Sequence, residues 1–357
     1  MRRLKASFEM VVAQRLRYWL WIGLLGLGAT AARAEPAGFV PDTIWRDTQG
    51  NPINAHGGCV VFFKGVYYWY GEQKIAGKAE VAAADGGVHC YSSTNLYSWT
   101  DQGIVLSVDY ANLQSDIAYG CVLERPKVLF DGTARSFVML FKLYLRGNGY
   151  ETGFVGVAAA PSPIGPFAYR GKFLGAGSDR GSGDFAIFQA ADGSTYHLTV
   201  RKPDRVFCAG KLANDFLKPE GGYRPLSGVV PETEAPAIVH YRGKYYLLGS
   251  GSSGWAPNAA RSYVADDIFG PWRATGNPCI GFNPYTGMGA DRTFGAQISF
   301  IFPVAGKDGE FIAMFDVWKP ERAEAGRYVW LPLTLENGKP IIQWHDQWDL
   351  SLFAREK

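Results

Sequence analysis

The sequence predicts an all-β protein arranged as a five-bladed β-propeller. Five segments share one pattern: a polar residue opens an apolar, β-branched run, a glycine-containing turn follows, and a second, often aromatic-rich run comes next. The glycines of these turns are 50 to 67 residues apart. Because compact propeller blades occupy about 40–50 residues, each unit has room for four strands and its loops.

The five hairpins follow one another along the chain. Their paired runs are 56–65 with 66–71, 124–132 with 137–141, 184–193 with 195–199, 234–243 with 244–248, and 297–306 with 311–315. A third strand, a turn and a fourth strand are expected within each of 88–99, 155–167 and 262–272, and the tail at 344–353 is expected to finish the ring. A β-sandwich also predicts evenly spaced short strands, but it does not predict five matching polar openings.

The first 34 residues predict a secretory signal peptide. A basic start precedes an apolar run over 18–29, and Ala32-Arg33-Ala34 fits a cleavage pattern. The apolar run is short for a membrane span, although an N-terminal anchor is the alternative. We therefore expect 35–357 to be one propeller domain, a monomer that is secreted or periplasmic and free of the membrane after cleavage.

The charge of the chain gives no indication of nucleic-acid binding. The whole sequence has 36 Lys and Arg against 33 Asp and Glu. Because residues 1–34 hold six of the basic residues and one acidic residue, the remainder has 30 against 32, a net charge of −2. A nucleic-acid-binding domain needs a basic patch or stripe, so no nucleic-acid partner is expected.

The cysteines and short motifs exclude several other classes. Five cysteines lie far apart without a C-x-x-C pair, and buried free thiols are favoured because a domain of this size needs no disulfides. Gly249–Gly254 fits G-x-G-x-x-G, but Trp255-Ala-Pro-Asn258 follows instead of a helix, so dinucleotide binding is rejected. No required cofactor or metal ligand set is indicated, and a structural calcium ion is left open.

The polar residues that open the five hairpins are candidates for one shared site. In a propeller the innermost strand of each blade lines the channel, so equivalent positions meet near the axis. Acids that lead into apolar strands are costly to bury unless they are paired, and clustered acids often mark functional sites. A structural ion pair is the alternative for each acid alone. The five opening residues are His56, Glu124, Asp184, Glu234 and Gln297.

Three acids around one pocket suit glycoside hydrolysis. One carboxylic acid donates a proton to the leaving oxygen, and another keeps it protonated or helps to activate water. Aromatic residues near the strand ends suit the faces of sugars, although each alone is more often a core residue. These aromatics are Trp69, Tyr70, Trp255 and Trp318. His56 is a candidate contact for substrate or for an axial ion or water, and its alternative is a hydrogen-bonded structural histidine.

Several motifs in one order resemble glycoside hydrolase family 43, and most closely its exo-β-1,3-galactanase branch. They extend over about 54–353 and include 67–72, 90–99, 124–128, 234–237, 254–258, 293–297 and 328–332. The resemblance implies a five-bladed propeller and a polysaccharide or oligosaccharide substrate. It implies that Glu234 is the general acid, that Asp184 tunes the pKa of Glu234 and orients it, that Glu124 is a third essential acid near the reacting sugar, and that Glu72 and Trp255 contact sugar.

One stretch departs from the wider family. Typical members place an Asp base on the first blade, whereas 54–58 has no carboxylate here. The galactanase branch shares this absence, and there a residue matching Gln297 is thought to hold the attacking water of an inverting reaction, with Glu124 as the alternative base here. The resemblance thus implies release of galactose from β-1,3-galactan. An α-L-arabinofuranosidase, a β-xylosidase and a non-catalytic carbohydrate-binding propeller are the alternatives.

Overall fold

The computed structural model describes residues 38–354, and the predicted signal peptide lies outside the described residues. Within them the regular structure is β-strand and short 3₁₀ helix. None of the described helices is long and apolar enough to cross a membrane. The 3₁₀ helices are Val81–Ala83, Ala290–Gly295, Ala323–Ala325 and Leu350–Ala354.

Five antiparallel sheets form the blades, which confirms the predicted propeller. The first comprises β1 (His56–Phe63), β2 (Val66–Glu72), β3 (Val88–Ser93) and β4 (Thr100–Leu106). The second comprises β5 (Val122–Asp131), β6 (Ser136–Tyr144), β7 (Phe154–Ala160) and β8 (Ala168–Leu174). The third comprises β9 (Ser182–Gln189), β10 (Thr195–Arg201), β11 (Phe207–Lys211) and β12 (Arg224–Pro225).

The last two blades continue the same pattern. The fourth comprises β13 (Glu234–Tyr241), β14 (Lys244–Ser250), β15 (Arg261–Ala265) and β16 (Arg273–Gly276). The chain then forms β17 (Cys279–Ile280) and a small hairpin, β18 (Phe282–Asn283) with β19 (Met288–Gly289). The fifth blade comprises β20 (Gln297–Pro303), β21 (Phe311–Val317), β22 (Arg327–Glu336), β23 (Lys339–Gln343) and the parallel β17.

The innermost strands close into a ring. Neighbouring first strands contact each other in the order β1, β5, β9, β13, β20 and back to β1. The tail joins the ring through a single antiparallel bridge between Phe39 and Trp348, whose rings stack at 4.4 Å, rather than through a strand. The five predicted opening residues therefore lie at equivalent ends of neighbouring strands.

The fourth strands begin later than expected. In each of the three predicted segments the final aromatic, Trp99, Phe167 or Trp272, is buried below a turn, and the fourth strand starts at the next residue. Trp99 and Trp272 also donate their indole N–H groups to carbonyls of that turn. The aromatic thus anchors the turn instead of starting the strand. All five cysteines are buried and free, as predicted.

Each innermost strand has an irregular register close to its opening residue. The shifts fall between His56 and Cys59, between Glu124 and Lys127, between Ser182 and Phe185, between Glu234 and Ala237, and between Ile298 and Phe300. β-Bulges bend a strand and re-aim its side chains, and they are frequent next to active sites. Three residues that follow an opening residue take the left-handed conformation: Gly57, Arg125 and Ala235. The bulges thus shape the end of the ring at which the opening residues lie.

Candidate active site

A cavity of about 300 Å³ lies where the opening ends of the innermost strands converge. Its volume is in the range of small-molecule binding pockets. Four of the five opening residues line it, as do three of the four predicted sugar contacts. These wall residues are Glu124, Asp184, Glu234, Gln297, Glu72, Trp255 and Trp318. The structure therefore places around one cavity all of these opening residues and sugar contacts except His56.

His56 is the exception, because it lies behind the wall. Its side chain is fully buried, stacks on Tyr328 at 5.1 Å and places Nδ1 3.6 Å from Asp316. Among the described residues, no group of three or more His, Cys, Asp or Glu side chains is arranged to hold a metal ion. The buried position of His56 against Tyr328 and Asp316 supports the structural alternative for this residue and not a direct contact with substrate.

Two predicted aromatics also lie elsewhere. Trp69 and Tyr70 are fully buried in the hydrophobic core, because β2 is sandwiched between neighbouring structure on both faces. The predicted aromatics that line the cavity are Trp255 and Trp318, whose rings meet edge to face at 5.7 Å. The indole N–H of Trp318 donates to Gln297 at 2.9 Å. These two rings give the cavity an apolar wall, and the hydrogen bond to Gln297 fixes the orientation of the Trp318 ring.

The second strands place a polar layer opposite the opening residues. In register, His56 pairs with Glu72, Glu124 with Lys142, Glu234 with Ser250, and Gln297 with Asp316. Directly opposed side chains in antiparallel strands are close enough to interact. The site is thus built by hairpins, four of which pair their opening residue with a polar residue of the second strand, whereas Asp184 lies within a register shift and has no such partner.

Two cations hold two carboxylates in the ionised form. Lys142 Nζ lies 3.2 Å from Glu124 and 2.9 Å from Asp184, and Arg125 Nε lies 3.1 Å from Asp184. Burial opposes ionisation of both acids, but Arg125 and Lys142 bring the pKa of Asp184 well below its usual range. Lys142 and Lys74, with a hydrogen bond from Tyr150, lower the pKa of Glu124.

Asp184 also reaches the residue after Glu234. Its Oδ2 accepts a hydrogen bond from the backbone N–H of Ala235 at 3.2 Å, and its own carbonyl accepts one from Thr199 at 2.9 Å. Ala235 has a left-handed backbone, with φ of 48°, which is unfavourable for a residue other than glycine. Asp184 thus stabilises the bulge that carries Glu234.

Glu234 lies at the rim of the cavity. Its carboxylate accepts hydrogen bonds from Arg205 and, at 2.9 Å, from Ser252. The Glu234 side chain is 20% exposed, whereas that of Asp184 is 9% exposed. An acid at the rim can exchange protons with solvent and also reach a bond that enters the cavity. Of the three inner acids, Glu234 has the most exposed side chain.

The amide of Gln297 has a fixed orientation. Its Oε1 accepts hydrogen bonds from Arg125 at 2.6 Å and from Trp318 at 2.9 Å, and its Nε2 donates to Ser250 at 2.9 Å. A carbonyl oxygen has two lone pairs and a primary amide has two N–H donors. Gln297 therefore keeps one free N–H that can donate to a water molecule or a sugar hydroxyl. Both lone pairs of its Oε1 are occupied, so this oxygen cannot accept a proton from water.

Glu72 belongs to a buried group of two acids and one lysine. Lys74 Nζ lies 3.1 Å from Glu72 and 2.6 Å from Glu80. Burial raises the pKa of Glu72 to about 8, and this exceeds the opposing effect of Lys74, while Glu124 and Glu80 add repulsion. Burial therefore favours the proton-bearing form of Glu72, whose side chain lines the cavity and can in that form donate a hydrogen bond.

This proton makes the stability of the protein depend on pH. Because the pKa of Glu72 is higher in the folded than in the unfolded chain, its stabilising contribution is complete below about pH 4.5 and is lost as the pH rises to about 8. As the pH rises over this range, we expect the free energy of unfolding of Glu72→Gln to increase relative to that of the wild type by about 1 kcal/mol per pH unit. Denaturant unfolding at pH 5, 6, 7 and 8 measures this trend. The exposed Glu220→Gln is the control, and a difference that is constant with pH would contradict the assignment.

Sequence reasoning missed several cavity residues. Arg125 and Lys142 hold the acids together, whereas Tyr150, Lys202 and Arg205 come from turns between strands and complete the wall. Lys142 had a recognisable signal, because it interrupts the apolar run of β6 directly opposite Glu124. The three loop residues had no periodicity to mark them.

Three solved structures share the fold at comparable sequence identity. A β-1,3-galactosidase of glycoside hydrolase family 43 (GH43) has a TM-score of 0.81 and 32% identity, with 90% of this chain and 65% of that chain covered. A second GH43 β-1,3-galactosidase, with galactodeoxynojirimycin, has a TM-score of 0.79 and 33% identity over 87% of this chain and all of that chain.

The third is the exo-β-1,3-galactanase of Phanerochaete chrysosporium with galactose, with a TM-score of 0.76 and 32% identity over 89% of this chain and 69% of that chain. The chain thus spans slightly less than two thirds of the first of these structures. A scan of protein-family models and a search of curated proteins gave no match.

Proposed function

The chain belongs to glycoside hydrolase family 43, and on that premise we propose that it is an exo-β-1,3-galactanase that releases galactose by inversion. The observation that carries the proposal is the cavity itself, in which a rim acid, Glu234, faces two acids held ionised, Glu124 and Asp184. The choice of galactan is supported by the similar structures described as β-1,3-galactosidases and exo-β-1,3-galactanases.

In the proposed reaction Glu234 protonates the glycosidic oxygen. Its position at the rim fits this role, because the leaving part of a chain that is cut from its end extends out of the cavity toward solvent. Asp184 holds the backbone of Ala235 and thereby the direction of the acid. The C–O bond to the leaving sugar breaks as the proton arrives from Glu234, and the leaving oxygen becomes a hydroxyl group.

The attacking water needs a proton acceptor as well as a fixed position. Gln297 supplies position through its free N–H, since Arg125 and Trp318 occupy its oxygen. Asp184 is held by three donors, from Arg125, Lys142 and the backbone N–H of Ala235, whereas Glu124 is held by two, from Tyr150 and Lys142. Glu124, which lines the cavity and is held ionised, is therefore the group to which we assign the water proton. The water oxygen then forms the new bond to the sugar carbon.

A single displacement predicts the configuration of the first product. The galactose released from a β-linked chain should appear as the α-anomer and then mutarotate. Proton NMR of the anomeric region during the first minutes of hydrolysis of β-1,3-galactotriose measures this. Release of the β-anomer would contradict the inverting mechanism while leaving the substrate assignment intact.

A comparison of substrates tests the activity. Initial rates are measured on β-1,3-galactotriose, an α-1,5-arabino-oligosaccharide and a β-1,4-xylo-oligosaccharide at equal concentration. We expect galactose release to exceed the other two rates by at least 100-fold. Faster release of arabinose or xylose would replace the galactanase proposal with one of the other activities of the family.

A further inference from the structure

Lys127, on β5, is buried without an acidic partner. Only 3% of the residue is exposed. Its ammonium group forms no ion pair with a carboxylate of the described residues and contacts backbone carbonyl oxygens. Burying an ammonium group is costly unless its donors are satisfied. Burial lowers the pKa of Lys127 to about 8, so the group remains mostly protonated at neutral pH.

The oxygens around this ammonium come from two β-bulges. Lys127 Nζ lies 2.9 Å from the carbonyl oxygen of Gly57, 3.2 Å from that of Gly58, and 3.4 Å from those of Arg125 and Pro126. Gly57 and Gly58 are the residues skipped in the pairing of β1 with β2. Arg125 and Pro126 are the residues skipped in the pairing of β5 with β6.

This coincidence has a physical reason. A bulge disrupts the ladder of hydrogen bonds and leaves backbone groups without their usual partners, and buried carbonyls need a donor. One ammonium group with three N–H donors can satisfy carbonyls of both bulges at once. The four carbonyl oxygens therefore form a cage for a cation between the first and second blades.

The two bulges also carry parts of the active site. Glu124 precedes the second bulge, and Arg125, within it, binds both Asp184 and Gln297. In the first bulge the backbone N–H of Gly57 donates to Asp316 at 3.1 Å. A change in the cage would therefore alter the direction of Arg125 and Glu124 without touching the substrate.

We propose that the two bulges form a carbonyl-lined cation site, that Lys127 fills it with its own ammonium group, and that Lys127 is thereby a positioning residue for Glu124 and Arg125. The chemical class that fits the site is a small primary ammonium ion. When the side chain is shortened, the site becomes available to such an ion from solution.

Two variants with different volumes test the site. Lys127→Met fills most of the space of the lysine side chain without N–H donors, whereas Lys127→Ala leaves room for a small cation. Each is refolded from denaturant and assayed with 100 mM methylammonium chloride or, at equal ionic strength, tetramethylammonium chloride, which has no N–H donor. The readouts are refolded yield, Tm and, on β-1,3-galactotriose at 15 °C, kcat and KM.

We expect both variants to have a lower Tm than the wild type and a kcat at least tenfold lower. Methylammonium should raise the refolded yield, the Tm and, at least threefold, the kcat of Lys127→Ala, and should change neither Lys127→Met nor the wild type. A wild-type kcat in folded Lys127→Met would overturn the positioning role. Equal yield and Tm of Lys127→Ala in the two salts would overturn the cation site. The kcat readout rests on the proposed galactanase activity, whereas yield and Tm do not.

Discussion

Replacing Glu234 with Gln is expected to lower kcat on β-1,3-galactotriose by about 10³-fold, because general acid catalysis contributes about 10²–10⁴-fold to such reactions. The amide keeps the size of the side chain and can still accept the hydrogen bonds from Arg205 and Ser252. It cannot deliver a proton to the glycosidic oxygen. Binding should survive, so the Kd for galactotriose, measured by calorimetry, should change by less than about threefold.

The matched control is Glu232→Gln, two residues earlier in the chain. Glu232 is exposed and lies outside the cavity, so the same change of chemistry should leave kcat within a factor of two. If Glu234→Gln instead binds galactotriose much more weakly and keeps most of its kcat, Glu234 holds the sugar and does not protonate it. Undiminished turnover would remove Glu234 from the mechanism.

Replacing Lys142 with Met is expected to destabilise the protein by about 3–5 kcal/mol at pH 7, the usual cost of removing one partner from a buried ion pair. Without Lys142, Glu124 loses the cation that contacts it and keeps only the effect of Lys74, while Asp184 keeps its ion pair with Arg125. We expect kcat to fall at least tenfold as well, since the pKa of Glu124 would rise and a smaller fraction of the base would be ionised. Unfolding in denaturant and kcat at pH 7 measure the two effects.

The destabilisation should depend on pH with a definite sign. The pKa values of Glu124 and Asp184 are lowered in the folded state, so their stabilising contribution is complete above about pH 4 and is lost as the pH falls toward the folded values. The deficit of Lys142→Met, that is, the amount by which its free energy of unfolding falls below that of the wild type, should therefore be greatest near pH 6–7 and should narrow below pH 4. A deficit that does not narrow in acid would show that lost packing, not lost charge, is the cause.

Lys244→Met provides the comparison for this variant. Lys244 pairs with Asp266 at the surface, where the side chains are 46% and 83% exposed. Exposed pairs of this kind contribute about 0–1 kcal/mol. A loss of several kcal/mol in this control would mean that the method does not resolve buried from exposed lysines.

The blades could be predicted because each hairpin repeats the same local chemistry. The positions of β13 and β14, for example, follow from a polar residue, a β-branched run and the turn at Gly243, whose φ of 75° favours glycine. Fourth strands were placed too early because a buried aromatic below a turn resembles the start of a strand. Only the packing of Trp99 or Trp272 beneath the turn distinguishes the two.

The site could be predicted where it follows the repeat and not elsewhere. Glu124, Asp184, Glu234 and Gln297 line one cavity because equivalent positions in five blades converge on the axis. His56 has the equivalent position in sequence, but its ring packs behind the wall against Tyr328 and Asp316. Contacts of this kind between strands far apart in the chain are not visible in one strand read alone.

The cations of the site illustrate a different limit. Lys142 follows Phe141, where our predicted run ended, and the register of the hairpin places it opposite Glu124. A lysine that interrupts the apolar run of a strand and lies opposite an acid was therefore available as a signal. Arg205 contacts Glu234 from the turn that follows β10, and contacts of this kind depend on the path of a loop in three dimensions.

The measurement that tests the account most directly is the release of sugar from de-branched β-1,3-galactan by the purified wild-type protein, with Glu234→Gln alongside. The account predicts that galactose accumulates from the earliest time points with the wild type, and that Glu234→Gln binds the same glycan without releasing it. A folded wild-type protein that binds the galactan but releases no sugar would contradict the account and identify the propeller as a carbohydrate-binding module.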